Sequence, residues 1–218
     1  SFTAPASNGG SAITGYTVTS SPGSITATGS SSPIVVTGLT NGTAYTFTVT
    51  ATNAAGTGSG SSASNSVTPA TVPDAPTSPS AVYGNAQATV TFTPPVSNGG
   101  SAITSYTVTS SPGGITATGS SSPIIVTGLT NGTAYTFTVT ATNAVGTSSA
   151  SVSTTAVTPI TIPDAPTSVI GTGGDAQVSV AFTPPVSNGG SAITGYTVTS
   201  SPGGITATGS SSPITATG

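Results

Sequence analysis

Residues 1–10, 91–100 and 181–190 read SFTAPASNGG, TFTPPVSNGG and AFTPPVSNGG, so the chain copies itself with a period of 90 residues. The copying is near verbatim. Thr37–Asn53 (TGLTNGTAYTFTVTATN) recurs unchanged as Thr127–Asn143. Ser7–Ile34 recurs at Ser97–Ile124 and Ser187–Ile214 with changes only at Gly15/Ser105/Gly195 and Ser24/Gly114/Gly204. A repeat of this length is one small domain, and tandem copies of such a domain suit extension or assembly better than catalysis. The period divides the chain into 1–70, a unit without its first strand; 71–160, a complete unit; and 161–218, the N-terminal part of a third. Both ends fall inside a unit, so the sequence reads as a stretch of a longer array.

Within a unit the hydrophobic period is two. Tyr45, Phe47, Val49 and Ala51 alternate with Thr46, Thr48, Thr50 and Thr52, which in a strand sends every apolar group to one face and every threonine to the other. Threonine is β-branched, favouring the extended backbone while its hydroxyl faces water. The same pattern predicts strands at Ile13–Thr19 and Ile34–Thr37. In the complete unit it predicts Ser78–Tyr83, Gln87–Thr93, Ile103–Ser110, Ile115–Thr118, Ile124–Thr127, Ala134–Asn143 and Ser151–Thr158. Asn-Gly, Pro-Gly and Gly-Gly pairs between these runs supply turns. About seven short strands per unit with no helical periodicity give an all-β chain of tandem antiparallel β-sandwiches. The expected core of the second unit is Val82, Val90, Phe92, Ile103, Tyr106, Val108, Ile124, Val126, Leu129, Tyr135, Phe137, Val139 and Val157.

Several motifs coincide at the spacing of the fibronectin type III family, which the chain resembles over its whole length. They are the PDAPTSP entry at Pro73–Pro79, the Ile103-x-x-Tyr106-x-Val108 strand, and Gly128-Leu129-Thr130-Asn131-Gly132-Thr133-Ala134-Tyr135. The resemblance implies an Ig-like sandwich with a tyrosine corner at Tyr45 and Tyr135, whose hydroxyls tie back to the backbone. Phe92 and Phe182 stand where many members carry tryptophan. The style of the Thr/Ser-rich repeats is similar to that of bacterial surface proteins. There is no Arg-Gly-Asp, so the integrin-binding members are not the ones it resembles.

Composition excludes whole classes of chemistry. Lys, Arg, His, Cys, Met and Trp are absent, and Asp74, Asp164 and Asp175 are the only charged side chains. With no cationic residue there is no electrostatic basis for binding nucleic acid or an anionic membrane surface. No apolar run reaches the roughly 20 residues that span a bilayer. Disulfides, zinc and haem ligation lack their ligands. Serine and threonine nucleophiles abound but have no His, Lys or Glu to activate them, so we expect no catalytic residues and no cofactor. Leu, Ile, Val and Phe make up only 40 of 218 residues. The near-absence of charge removes the self-repulsion that usually accompanies disorder, so a small core remains feasible.

The residues left with binding chemistry are few. Asp74 and Asp164 sit in equivalent Pro-Asp-Ala-Pro seams, where calcium could bind beside backbone oxygens, although one carboxylate per seam is thin for such a site. Asp as a turn residue is the simpler reading. Asn41 and Asn131 head Asn-Gly-Thr acceptor patterns for N-glycosylation, which also make good tight turns without a sugar. The seams themselves, TPATVPDAPTSP (68–79) and TPITIPDAPTSV (158–169), carry prolines that favour a semi-rigid connection, so the expected assembly is a rod.

These features predict a structural extracellular or cell-surface repeat protein that self-associates into a homopolymeric fibre, filament or sheath. Threonine-rich sheet edges without lysine would pair laterally. An adhesin or carbohydrate-binding array using loops such as Ser97–Ala102 to touch glycans or other surface proteins is the first alternative. A non-catalytic spacer in a large secreted enzyme is the second.

Overall fold

The computed structural model describes residues 1–218, which form fifteen strands and no helix. Every strand pair whose register is resolved is antiparallel. The first repeat holds β1 (Ile13–Ser21), β2 (Thr26–Gly29), β3 (Thr46–Asn53) and β4 (Gly56–Thr57), ordered β2-β1-β3-β4 in one sheet. The second holds β5 (Thr77–Gly84), β6 (Gln87–Thr93), β7 (Ile103–Ser111), β8 (Thr116–Gly119), β9 (Ile124–Thr127) and β10 (Thr136–Asn143). These make two sheets, β5-β6-β9 and β10-β7-β8. The third holds β11 (Thr167–Gly174), β12 (Gln177–Thr183), β13 (Tyr196–Thr199), β14 (Thr206–Gly209) and β15 (Ile214–Thr217), in sheets β11-β12-β15 and β13-β14.

The second repeat shows why threonine alternation is enough. Along β10 the residues alternate between half-buried threonine and fully buried Phe137, Val139 and Ala141. Val90 of β6, Val108 of β7 and Val126 of β9 are likewise without solvent exposure. Phe92 packs its ring against Tyr106 at a centroid distance of 4.9 Å and a tilt of 50°. The same pair recurs as Phe2–Tyr16 and Phe182–Tyr196, so a tilted Phe–Tyr contact takes the place of a larger tryptophan.

Three expectations are corrected. Val82 is 68% exposed rather than buried. The register of β5 against β6 shifts between Thr77 and Ser80, where Ser78 adopts a positive φ of 49°, and the bulge turns Pro79 and Ala81 inward instead. Ile34–Thr37 is not a strand, although its counterpart Ile124–Thr127 is β9. β9 pairs with β6, and residues 1–218 contain no counterpart of Gln87–Val90 for the first repeat. Ser151–Thr158 forms only an isolated bridge at Val157 rather than a strand, for a reason given below. Ile103 and Val157 are half-buried, and Ala88, Ala141, Pro76 and Pro159 join the core.

By compactness the chain divides into two units whose limits cut across the period. The first comprises Ser1–Ala75 with Pro95–Ser105 and Ala141–Ser149. The second comprises Pro76–Pro94, Tyr106–Thr140 and Ala150–Gly218. The loops Pro95–Ser105 and Ala141–Ser149 of the second repeat thus belong with the first seam.

Candidate interaction site at the repeat seams

The seam Pro69–Asp74 is held by main-chain bonds. Gly42 N–H donates to Pro69 O at 2.9 Å, Thr71 N–H to Gly99 O at 2.8 Å, and Asp74 N–H to Ser97 O at 3.0 Å. The second seam repeats each of them. Gly132 donates to Pro159 at 2.9 Å, Thr161 to Gly189 at 2.7 Å, and Asp164 to Ser187 at 3.1 Å. Gly99 and Gly100 are glycine for a packing reason as well as for their positive φ of 73° and 83°. A Cβ on Gly99 would overlap Thr71 O, and one on Gly100 would overlap Gly42 N. Gly189 and Gly190 meet Thr161 and Gly132 in the same way.

Asn143 completes the first seam, and sequence reading missed it. Its Nδ2 donates to Thr71 O at 2.7 Å and to Asn98 O at 2.8 Å, while its Oδ1 accepts from the N–H groups of Val145 and Gly146. Asn143 is 4% exposed, so its buried amide is spent bridging the Thr71 and Asn98 carbonyls. The available signal was the single asparagine that ends an otherwise threonine-alternating strand.

The predicted site residues fall on both sides of this geometry. Asp74 and Asp164 use their backbone N–H in the seam, their side chains are exposed, and no cluster of three His, Cys, Asp or Glu residues forms anywhere. Asn41 is exposed beside the first seam. Asn131 is committed at both ends of its amide: Oδ1 accepts from Ala86 N–H at 2.8 Å and Nδ2 donates to Asn85 Oδ1 at 2.8 Å. The hydroxyl of Tyr45 accepts from Thr40 N–H at 3.0 Å, and that of Tyr135 from Thr130 N–H at 3.1 Å. The Thr40 backbone N–H, aided by the Thr40 side chain and opposed by desolvation, holds the Tyr45 phenol below its ordinary value of 10.0. The loop Ser97–Ala102 spends Ser97, Asn98, Gly99 and Gly100 on the seam.

The segment after β10 explains the missing strand. Ser148, Ser151 and Thr154 donate their N–H groups to Ala141 O, Val139 O and Phe137 O, and their hydroxyls accept from the N–H groups of the same three residues. Three residues here cover what two strand residues cover, roughly 6.7 Å, so the chain is puckered and cannot form a ladder. Each hydroxyl stands in for the carbonyl a true strand would present. Ser61 and Ser64 do the same for Val49 and Phe47 in the first repeat.

The fibronectin type III domain profile matches residues 1–68 and 74–157. The chain belongs to the fibronectin type III family. No characterised protein sequence matches it significantly. Three consecutive domains of titin superpose with a TM-score of 0.45 at 24% identity, covering 65% of this chain and 53% of that one. The FN1–FN3 domains of chicken CNTN1 give 0.39 at 18% identity, covering 96% and 79%. The twitchin kinase region of C. elegans gives 0.37 at 27% identity, covering 41% and 17%. This chain thus spans about half the length of the titin structure. Its fibronectin type III repeats are a structural or spacer type of module found in many proteins.

Proposed function

We propose that these fibronectin type III repeats build an extracellular fibre, filament or sheath on a bacterial surface. The observation that carries this reading is the seam: the same three main-chain bonds and the same glycine-on-glycine contact occur twice, 90 residues apart. A joint that specific defines each repeat's relation to its neighbouring loops by backbone geometry, as a load-bearing or space-filling array requires and an enzyme's flexible spacer does not. The lack of Lys and Arg removes every trypsin site, and the near-zero charge removes repulsion between copies, both suited to a packed exterior material.

Lateral association in this reading uses sheet faces rather than strand edges. The edge beside β10 is filled by Ser148–Thr154, β8 and β9 are only 4 residues long, and β5 is bulged, all features that discourage edge pairing. Electron microscopy with helical reconstruction of native material from the producing cells tests the proposal. Ordered filaments with lateral contacts between repeats are expected. Isolated strands without lateral contact would overturn it in favour of a stalk.

A further inference from the structure

The two sheets of a repeat differ in how closely their copies match. Between residues 77–93 (β5 and β6) and 167–183 (β11 and β12), nine of 17 positions differ. Between 97–124, which holds β7 and β8, and 187–214, one of 28 differs. Thr37–Asn53, with β3, recurs unchanged as Thr127–Asn143, with β10. A copied repeat carries both sheets, so recency of copying alone would leave them equally alike. In the second repeat each sheet buries one face, so packing of the core does not separate them either. What the unchanged sheet alone presents is its outer face, and that face is a lattice of threonines. In the first repeat the register aligns Thr28–Thr17–Thr50 and Thr26–Thr19–Thr48 across β2, β1 and β3. In the second, Thr118–Thr107 and Thr116–Thr109 pair across β8 and β7, and Thr140 Oγ1 lies 3.5 Å from Thr107 O. In the third, Thr208–Thr197 and Thr206–Thr199 pair across β14 and β13. None of these threonines is buried. Strand geometry spaces them about 4.8 Å across the strands and about 6.7 Å along them. The other sheet keeps no such pattern: its outer row Val82–Thr89–Ile125 becomes Thr172–Ser179–Thr215 in the third repeat.

We propose that this threonine face is the surface by which one copy of the chain packs on another. The inference rests on the fibre reading above and names the surface that its lateral contacts use. A solvent-facing threonine can be replaced at little cost to folding, and valine or isoleucine suits a strand as well. Retention of the whole lattice is explained by what the face touches, and a second copy is the occupant that fits. The face carries no charge, and neither does its twin on another chain. Each threonine hydroxyl both donates and accepts, so an identical face satisfies its hydrogen bonds without matched charges. The methyl groups add apolar area, and two sheets packed face to face interdigitate side chains across about 10 Å. The aromatic rings of these strands alternate onto the opposite side, so none stands on the face to stack on a sugar.

Sedimentation velocity of the 218-residue chain over a concentration series tests it, with three double variants of equal charge. Thr17→Lys with Thr107→Lys sets like charges against each other at the centre of the paired faces. Thr28→Lys with Thr118→Lys does so on the exposed edge strand and decides the matter if the first variant unfolds. Thr89→Lys with Ser179→Lys places the same charge on the outer side of the other sheet. The unaltered chain is expected to associate as concentration rises. Both threonine-face variants should associate about tenfold more weakly or worse, and recover in part between about 0.1 and about 1 M sodium chloride as the repulsion is screened. The third variant should match the unaltered chain. Loss of association only in the third variant would overturn the inference and move the contact to the other sheet, leaving the fibre reading intact. An unaltered chain that stays monomeric up to its solubility limit would overturn it too, even where native material shows filaments. So would a monomeric chain that sediments with insoluble polysaccharide through this face, which would give the face to a glycan. Absence of filaments from native material, by contrast, counts against the fibre reading itself.

Discussion

Tyr45 shows how a single hydrogen bond reaches an observable. Because Thr40 N–H favours the phenolate, Tyr45 ionises below its ordinary value of 10.0, and a Tyr45→Phe variant should lose one step of phenolate absorbance in that lower range. The linkage has a defined sign. A depressed acid pKa contributes stability that is present above the unfolded value and lost as pH falls through the folded one, so the phenolate adds to the neutral hydroxyl's bond on the alkaline side. Alkaline urea melts of the two proteins check the direction. At the core, Phe137 has no exposed surface, and Phe137→Ala should cost about 3–5 kcal/mol, measured as a lower urea midpoint. The tyrosine motif was legible from its loop, GLTNGTAY, because a turn followed by an aromatic strand start is a local pattern. Asn143 was not legible, because its two acceptors lie 45 and 72 residues away.

At the scale of elements, alternation predicted β6, β7, β9 and β10 almost residue for residue, since a period of two needs only neighbours. It failed at Ser151–Thr158, where the hydroxyls of Ser148, Ser151 and Thr154 recur every third residue and serve as acceptors for β10. A period of three in serine and threonine looks like low complexity until the partner strand is in view. The consequence is testable by pairing two serines. Ser151→Ala leaves the buried Val139 N–H without an acceptor and should destabilise by about 1–3 kcal/mol. Ser153→Ala, at an exposed position two residues on, should stay within about 0.5 kcal/mol. Equal effects in chemical denaturation would mean that the hydroxyl ladder contributes nothing. The bulge in β5 belongs to the same class of miss: one extra residue reverses which side of the strand is buried, and Val82 moves from expected core to surface.

At the scale of the whole molecule the notable fact is stability without charge. With three aspartates and no basic residue there are no ion pairs to screen, so the thermal midpoint should barely move between about 0.1 and about 1 M sodium chloride, over which the Debye length falls from about 10 to about 3 Å. A marked salt dependence in calorimetry would point to electrostatic contacts absent from this fold. Trypsin should leave the chain intact even in urea, because unfolding exposes no Lys or Arg to cut. The sequence by itself determined the repeat length, the all-β class, the fibronectin type III resemblance and the absence of basic, thiol and imidazole chemistry. All of these depend on residue type and on spacing within a few positions. Only the tertiary structure decided which way β5 turns its side chains, what replaces the last strand of the first and second repeats, and how Gly99, Gly100 and Asn143 close a seam. Those outcomes depend on backbone groups meeting across tens of residues, where a glycine's missing Cβ or an amide's second hydrogen bond counts only once the partner chain lies beside it.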